Sequence, residues 1–143
     1  MIFHEETMGN CIFCEIAEGR IPSIRVYEDE DFIVLMDINP LTVGHILLIT
    51  RQHYVTTLEV PNNILAKALP LAKQLAEAAI LGVGAPAFNI FINNGPESGQ
   101  AVHHWHLHIV PRKEPGELPL KPGAPADLTK LPFVAATIRD NLK

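Results

Sequence analysis

The sequence predicts an α+β fold: a five-stranded, mainly antiparallel sheet with one main helix and short terminal helices. Three observations carry this. Five short apolar segments are bounded by turn residues, one long segment repeats its apolar residues at helical spacing, and the order runs strand, strand, strand, helix, strand, strand. That order favours an antiparallel sheet over a doubly wound one, in which helices separate parallel strands.

Residues 1–10 read as a loose N-terminal extension. Cys11 to Gly19 carries enough apolar residues for one or two helical turns, with Gly19 as the stop. Ile24 to Glu28 and Asp31 to Asp37 form the first two strands, joined by a tight turn at Asp29-Glu30. In the second, Ile33 and Leu35 share one parity while Phe32, Val34 and Met36 share the other, so the strand is central or lines a pocket. Asp37 to Gly44 is a loop, and His45 to Thr50 the third strand.

From Pro61 to Leu81 the residues Ile64, Leu65, Ala68, Leu71, Ala72, Leu75, Ala79 and Ile80 recur at i, i+3 and i+4, the signature of a helix. Pro70 is expected to kink or split it, and Gly82 or Gly84 to end it. Ala87 to Asn93 is the fourth strand and Val102 to Val110 the fifth. A Pro/Gly-rich linker after Arg112 leads to a short helix near Leu131 to Leu142. The chain thus divides into residues 1–10, a domain over 11–112 and a C-terminal segment over 113–143.

With 143 residues, 48% of them hydrophobic, there is material for one domain with a substantial core. A formal charge of −5 argues against a nucleic-acid partner, which calls for a basic patch, but not against a small anionic ligand met by local donors. No run of about 18 apolar residues predicts a membrane span. The first residues include His4, Glu5 and Glu6 in place of a basic leader, so a cytoplasmic location is expected. Cys11 and Cys14 are the two cysteines; in a reducing compartment a C-x-x-C pair is more often metal-binding or redox-active than a structural disulfide.

The chemistry concentrates in Gly99 to Pro111. Read as a strand, its alternation puts Trp105, Leu107 and Ile109 on a core face, where each contributes roughly 1.5–3 kcal/mol, and leaves His104, His106 and His108 side by side on the other. At about 3.3 Å per residue, neighbouring imidazoles stand roughly 6.6 Å apart and the outer two roughly 13 Å, so one metal could hold two of them but hardly three. The histidines therefore divide their work.

His104-Trp105-His106-Leu107-His108-Ile109-Val110 resembles the signature of the histidine triad (HIT) superfamily of nucleotide hydrolases and transferases. Cys11-Ile12-Phe13-Cys14, Asp37-Ile38-Asn39-Pro40, Gly44-His45-Ile46-Leu47-Leu48-Ile49 and Asn93-Asn94-Gly95 also look like that family and occur in its order. The resemblance spans about Cys11 to Arg112. It implies a five-stranded domain pairing as a homodimer through its helices, a purine nucleotide substrate, and release of AMP or GMP from a phosphoramidate or a dinucleoside polyphosphate.

Such a reaction needs a nucleophile at phosphorus, stabilisation of phosphoryl oxygens and a proton for the leaving group. Imidazole, with a pKa near 6.5, supplies all three at neutral pH. By resemblance His106 is the nucleophile, His108 contacts the α-phosphate and assists the leaving group, and His45 supports phosphate binding or proton relay. Asn93, Gln100 and the N–H groups near Gly99 are candidate phosphate donors, and Asp37 is the acidic ribose ligand or, alternatively, a turn-initiating Asp. Ile12, Phe13, Ile16, Leu35 and Ile38 correspond to purine-pocket walls or to ordinary core. Ala101 replaces a hydroxyl residue common among relatives, and His108 stands where a uridylyl-transferase branch has Gln, which favours hydrolysis.

The resemblance also implies a structural zinc held by Cys11, Cys14, His53 and His104, a closed tetrahedral set. Two other readings stand beside the enzyme: a nucleotide-binding regulatory module with little turnover, and hydrolysis at a catalytic zinc on His106 and His108.

Overall fold

The computed structural model describes residues 11–143. The expectation for residues 1–10 lies outside them. Helix α1 covers Ile12–Ala17, and strands β1 (Arg25–Glu28), β2 (Phe32–Met36) and β3 (Ile46–Thr50) follow. Helix α2 spans Asn62–Val83, then come β4 (Ala87–Ile92), β5 (His106–Arg112) and helix α3 (Leu131–Asn141). The five strands form one sheet in the order β1-β2-β3-β5-β4, every neighbouring pair antiparallel. The predicted α+β class and its five strands are all present.

Strand parity divides the sheet into two faces. Phe32, Val34, Ile46, Leu48, Leu107 and Ile109 pack with Trp105 against α2, which meets them with Ala68, Ala72, Leu75 and Ala76. The alanines, four residues apart, form one helix face without bulk, which lets the helix sit close over the sheet. On the other face Ile33, Leu35, Leu47 and Ile49 pack against Cys11, Phe13, Cys14 and Ile16. His106 pairs with Ile49 and His108 with Leu47, so both imidazoles share this second face.

One expectation is narrowed and one is corrected. Of the two outcomes expected at Pro70, a kink or a split, the split does not occur: α2 runs through it, with buried residues on both sides (Ala68, Ala72, Leu75) holding the two halves on one sheet. The fifth strand starts at His106 rather than Val102: the chain turns first, with His104 N–H donating to the Val102 carbonyl at 2.8 Å. Trp105 N–H then reaches the Tyr54 carbonyl at 2.6 Å, which keeps the inside-outside alternation despite the turn.

Turn chemistry elsewhere follows the reading. Asp29 Oδ1 accepts from the Asp31 and Phe32 N–H groups, each at 2.8 Å, closing the β1–β2 turn. Gly84, at φ +74°, ends α2. Gly44 is needed twice, for its φ of +93° and because a Cβ would meet Val83 Cγ1 at 2.8 Å. Among the described residues no helix is long and apolar enough to cross a membrane.

Candidate active site

Two clusters of histidine chemistry lie on the α1 face of the sheet, and they meet at His104. In the first, α1 delivers Cys11 and Cys14, the segment after β3 delivers His53, and the turn before β5 delivers His104. Cys11 Sγ lies 3.3 Å from His104 Nδ1, Cys14 Sγ 3.5 Å from it and 3.2 Å from His53 Nδ1, and the two Nδ1 atoms 3.2 Å apart. A tetrahedral zinc with ordinary Zn–N and Zn–S bonds spaces its donor atoms about 3.3–3.8 Å apart. The donor set and its spacing fit that ion.

His104 is arranged as a ligand should be. Its Nε2 lies 2.6 Å from the Thr50 carbonyl, so Nε2 carries the proton and Nδ1 turns its lone pair on the cysteines. Burial holds its pKa down to about 4, with the Thr50 carbonyl opposing and His53 and His106 adding to the fall. Burial, aided by Cys11, pushes the Cys14 thiol up to about 12, so a bound cation would have to displace its proton.

The second cluster lines a cavity of ≈ 400 Å³ walled by α1, the segment leading into β1, the β2 end and the residues before β5. His106 Nδ1 sits 2.7 Å from the His104 carbonyl, which places the proton on Nδ1 and leaves the Nε2 lone pair for chemistry. Burial lowers its pKa, while that carbonyl and Asp37 pull the other way. The lowered pKa favours the neutral ring, the form in which an imidazole can act as a nucleophile.

His45 and His108 form a hydrogen-bonded pair beside it. The Leu41 N–H donates to His45 Nδ1 at 3.0 Å, so His45 Nε2 bears the proton and donates to His108 Nδ1 at 2.9 Å. That leaves the proton of neutral His108 on Nε2, which has no hydrogen-bond partner among the described residues. Burial, then His106 and His45, bring the His108 pKa to about 4, against the pull of Asp37. Burial also lowers His45, again against Asp37. Asp37 serves a turn and the site together: Oδ1 accepts from the Asn39 N–H at 2.7 Å, while Oδ2 lies 3.4 Å from His45 Nε2.

Of the apolar candidates, Ile12, Phe13, Ile16, Leu35 and Ile38 all line the cavity, Ile38 at its mouth with 81% exposure. Phe13 also sets its edge against His104 and His106, at ring separations of 5.8 and 5.1 Å, bridging the two clusters. The loop candidates make hydrogen bonds within the loop and to Val55. Gln100 is buried, its amide accepting from the Gly95 N–H and donating to the Val55 carbonyl, both at 2.7 Å. The Gly99 N–H is taken by the Pro96 carbonyl at 3.0 Å. Asn93 Nδ2 donates to the Gly99 carbonyl at 3.4 Å. A tight turn over Pro96–Ser98 takes the Gly99 N–H, while Ala101 and Val102, just after it, line the cavity.

Sequence reasoning missed the wall formed by Ile21, Pro22, Ser23 and Ile24, which lies in a segment without periodicity. It also missed Phe91, stacked on His108 at 4.5 Å, a contact that needs the β4–β5 register to be seen.

The family model described as the HIT domain matches residues 18–115, well over half of the chain. The chain belongs to the HIT family. Among HIT relatives it is 38% identical over 106 residues to an adenylylsulfatase of Arabidopsis thaliana, covering 74% of this chain and 54% of the plant protein. It is 36% identical over 104 residues to an adenosine 5′-monophosphoramidase of Saccharomyces cerevisiae, covering 73% of this chain and 63% of that one. The chain thus spans little more than half of the plant relative and under two thirds of the yeast one. A crystal structure of a Zn-bound histidine triad family protein from Mycobacterium smegmatis is similar at TM-score 0.74 and 35% identity, over 95% of this chain and 99% of that one.

Proposed function

We propose that the chain is a nucleotide hydrolase that cleaves purine nucleoside 5′-phosphoramidates or dinucleoside polyphosphates through a nucleotidyl-His106 intermediate, releasing AMP or GMP. The observation that carries this is the His106 ring: Nδ1 bound to the His104 carbonyl at 2.7 Å, the opposite nitrogen left basic, and the ring itself in the cavity wall. The names of the plant and yeast relatives, one acting on adenylylsulfate and one on a phosphoramidate, support the substrate class.

In the first step the His106 Nε2 lone pair forms a bond to the α-phosphorus and the bond to the leaving group breaks. The His45–His108 pair, holding one added proton drawn in by the substrate's phosphate charge, gives it to the leaving amine or phosphate through His108 Nε2. In the second, water attacks the same phosphorus, the pair takes its proton, and the monophosphate leaves with His106 restored. Asp37 is suited to accept from the ribose hydroxyls, and the apolar walls to hold the base.

Cys11, Cys14, His53 and His104 would hold a zinc ion, which supplies cross-linking: it ties α1, the roof of the cavity, to the sheet. A second copy of the chain is the partner this reading expects. The apolar groove between α2 and β4, with Leu69 exposed along it, supports that, as does the family. The reading places the work in the cytoplasm.

The test is rapid-quench mass spectrometry of the intact protein with adenosine 5′-phosphoramidate and, separately, diadenosine tetraphosphate. An added AMP moiety that vanishes in His106→Ala, with turnover down at least about 1,000-fold, is the expected result. AMP binding with neither adduct nor turnover would instead identify a binding module.

A further inference from the structure

His108 is held by an aromatic face that nothing in the reaction scheme has used. Phe91 on β4 is its direct cross-strand partner on β5. The two rings lie 4.5 Å apart and 13° from parallel, whereas His106 meets His108 tilted by 59° at 4.9 Å and His45 by 44° at 5.2 Å. An imidazole hydrogen-bonded at one nitrogen can still tilt about that bond; a flat ring against its face removes that freedom. The stack therefore fixes the plane in which Nε2 presents its proton, while the 2.9 Å contact from His45 fixes which nitrogen carries it.

The contact also acts on charge. The groups that face His108 are His45 from the loop before β3, Asp37 from the end of β2, His106 from its own strand and Phe91 from β4. Desolvation and the two histidines oppose protonation; Asp37 favours it. The negative π-face of Phe91 is a second element on the favouring side, and it costs no net charge beside an anionic substrate.

We propose that Phe91 is a positioning residue for His108, orienting the proton-donating ring by stacking and easing its passage through the imidazolium form. The assignment rests on the reading of His108 as the proton donor. Its consequence is that Phe91 affects kcat, where the proton moves, and leaves KM nearly unchanged, because the ring contacts His108 and does not line the nucleotide cavity.

The test compares Phe91→Leu with Phe91→Tyr, with Phe91→Met held in reserve if the leucine variant fails to fold. Turnover of adenosine 5′-phosphoramidate is followed across pH, and the His108 titration is read by NMR of the labelled imidazole without substrate. The expected result for Phe91→Leu is a kcat lower by about tenfold with KM within about twofold, and a His108 pKa about half a unit to one unit lower. Phe91→Tyr, which keeps the face, restores both. A leucine variant with wild-type kcat and wild-type His108 titration overturns the proposal, as does equal loss in the tyrosine variant. If the wild type turns over nothing, the proposed function falls, and the His108 titration alone decides whether Phe91 acts on that ring.

Discussion

The two faces of this sheet are built from the same five strands and have opposite contents. Toward α2 every inward residue is apolar, from Phe32 to Ile109, with one polar tip, the Trp105 N–H, satisfied by Thr57 Oγ1 at 3.0 Å. Toward α1, β2 and β3 contribute aliphatic residues, while β5 contributes His106 and His108 before Val110. Yet His104 is fully buried and His106 only 6% exposed, so the chemistry-bearing face is covered nearly as completely as the other. The lesson is that the histidines are kept neutral by being covered, and that each must have a hydrogen-bond partner assigned to it. One face supplies stability; the other spends part of its own on placing lone pairs.

Trp105→Ala breaks the first face and should have the largest effect on stability, about 3–5 kcal/mol, because it leaves a ring-sized cavity at the centre of the helix side. Urea unfolding measures the loss, and kcat per folded molecule should stay within a few-fold of wild type if the faces are as separate as their contents. Cys14→Ser cuts into the second face. Zinc content by mass spectrometry should fall to near zero, with stability lower by at least about 2 kcal/mol in the purified protein. Unchanged metal and an unchanged Tm would remove the zinc assignment.

Acid should distinguish the faces most gently. His104 and His108 are depressed to about 4, and His45 and His106 are also lowered, all mainly by burial. A group with a depressed native pKa binds its proton more readily when unfolded, so its contribution is whole above pH ~6.5 and is lost as pH falls toward about 4. The Tm of wild type should therefore decline through that window, and the decline should be shallower in a variant with His108→Gln. Equal slopes would show that His108 is not among the groups responsible.

Much of this was legible in the chain. The parity of Trp105, Leu107 and Ile109 against the histidines could be read directly, since a half-buried strand leaves a period of two. The four metal-cluster residues were within reach only because a family resemblance joined positions up to 93 residues apart. What escaped has a common physical cause. The sequence offers Gln100 and Gly99 as phosphate donors because their chemistry permits it, but not the partners they hold in the fold: the Gly95 N–H and the Val55 carbonyl for the Gln100 amide, and the Pro96 carbonyl for the Gly99 N–H. Phe91 looked like any strand aromatic until the β4–β5 register set it opposite His108. Composition does not encode which groups are already engaged.

The orientation of His106 depends on a carbonyl, the one belonging to His104. Every amino acid brings that same oxygen. A descendant of this chain with another side chain at position 104 would still inherit the same alignment of the His106 ring. The loss of a single residue between 104 and 106 would forfeit it at once. Drift can erase the Cys11, Cys14, His53 and His104 cluster one substitution at a time, whereas the alignment of His106 is guarded by spacing, and insertions or deletions put it at risk.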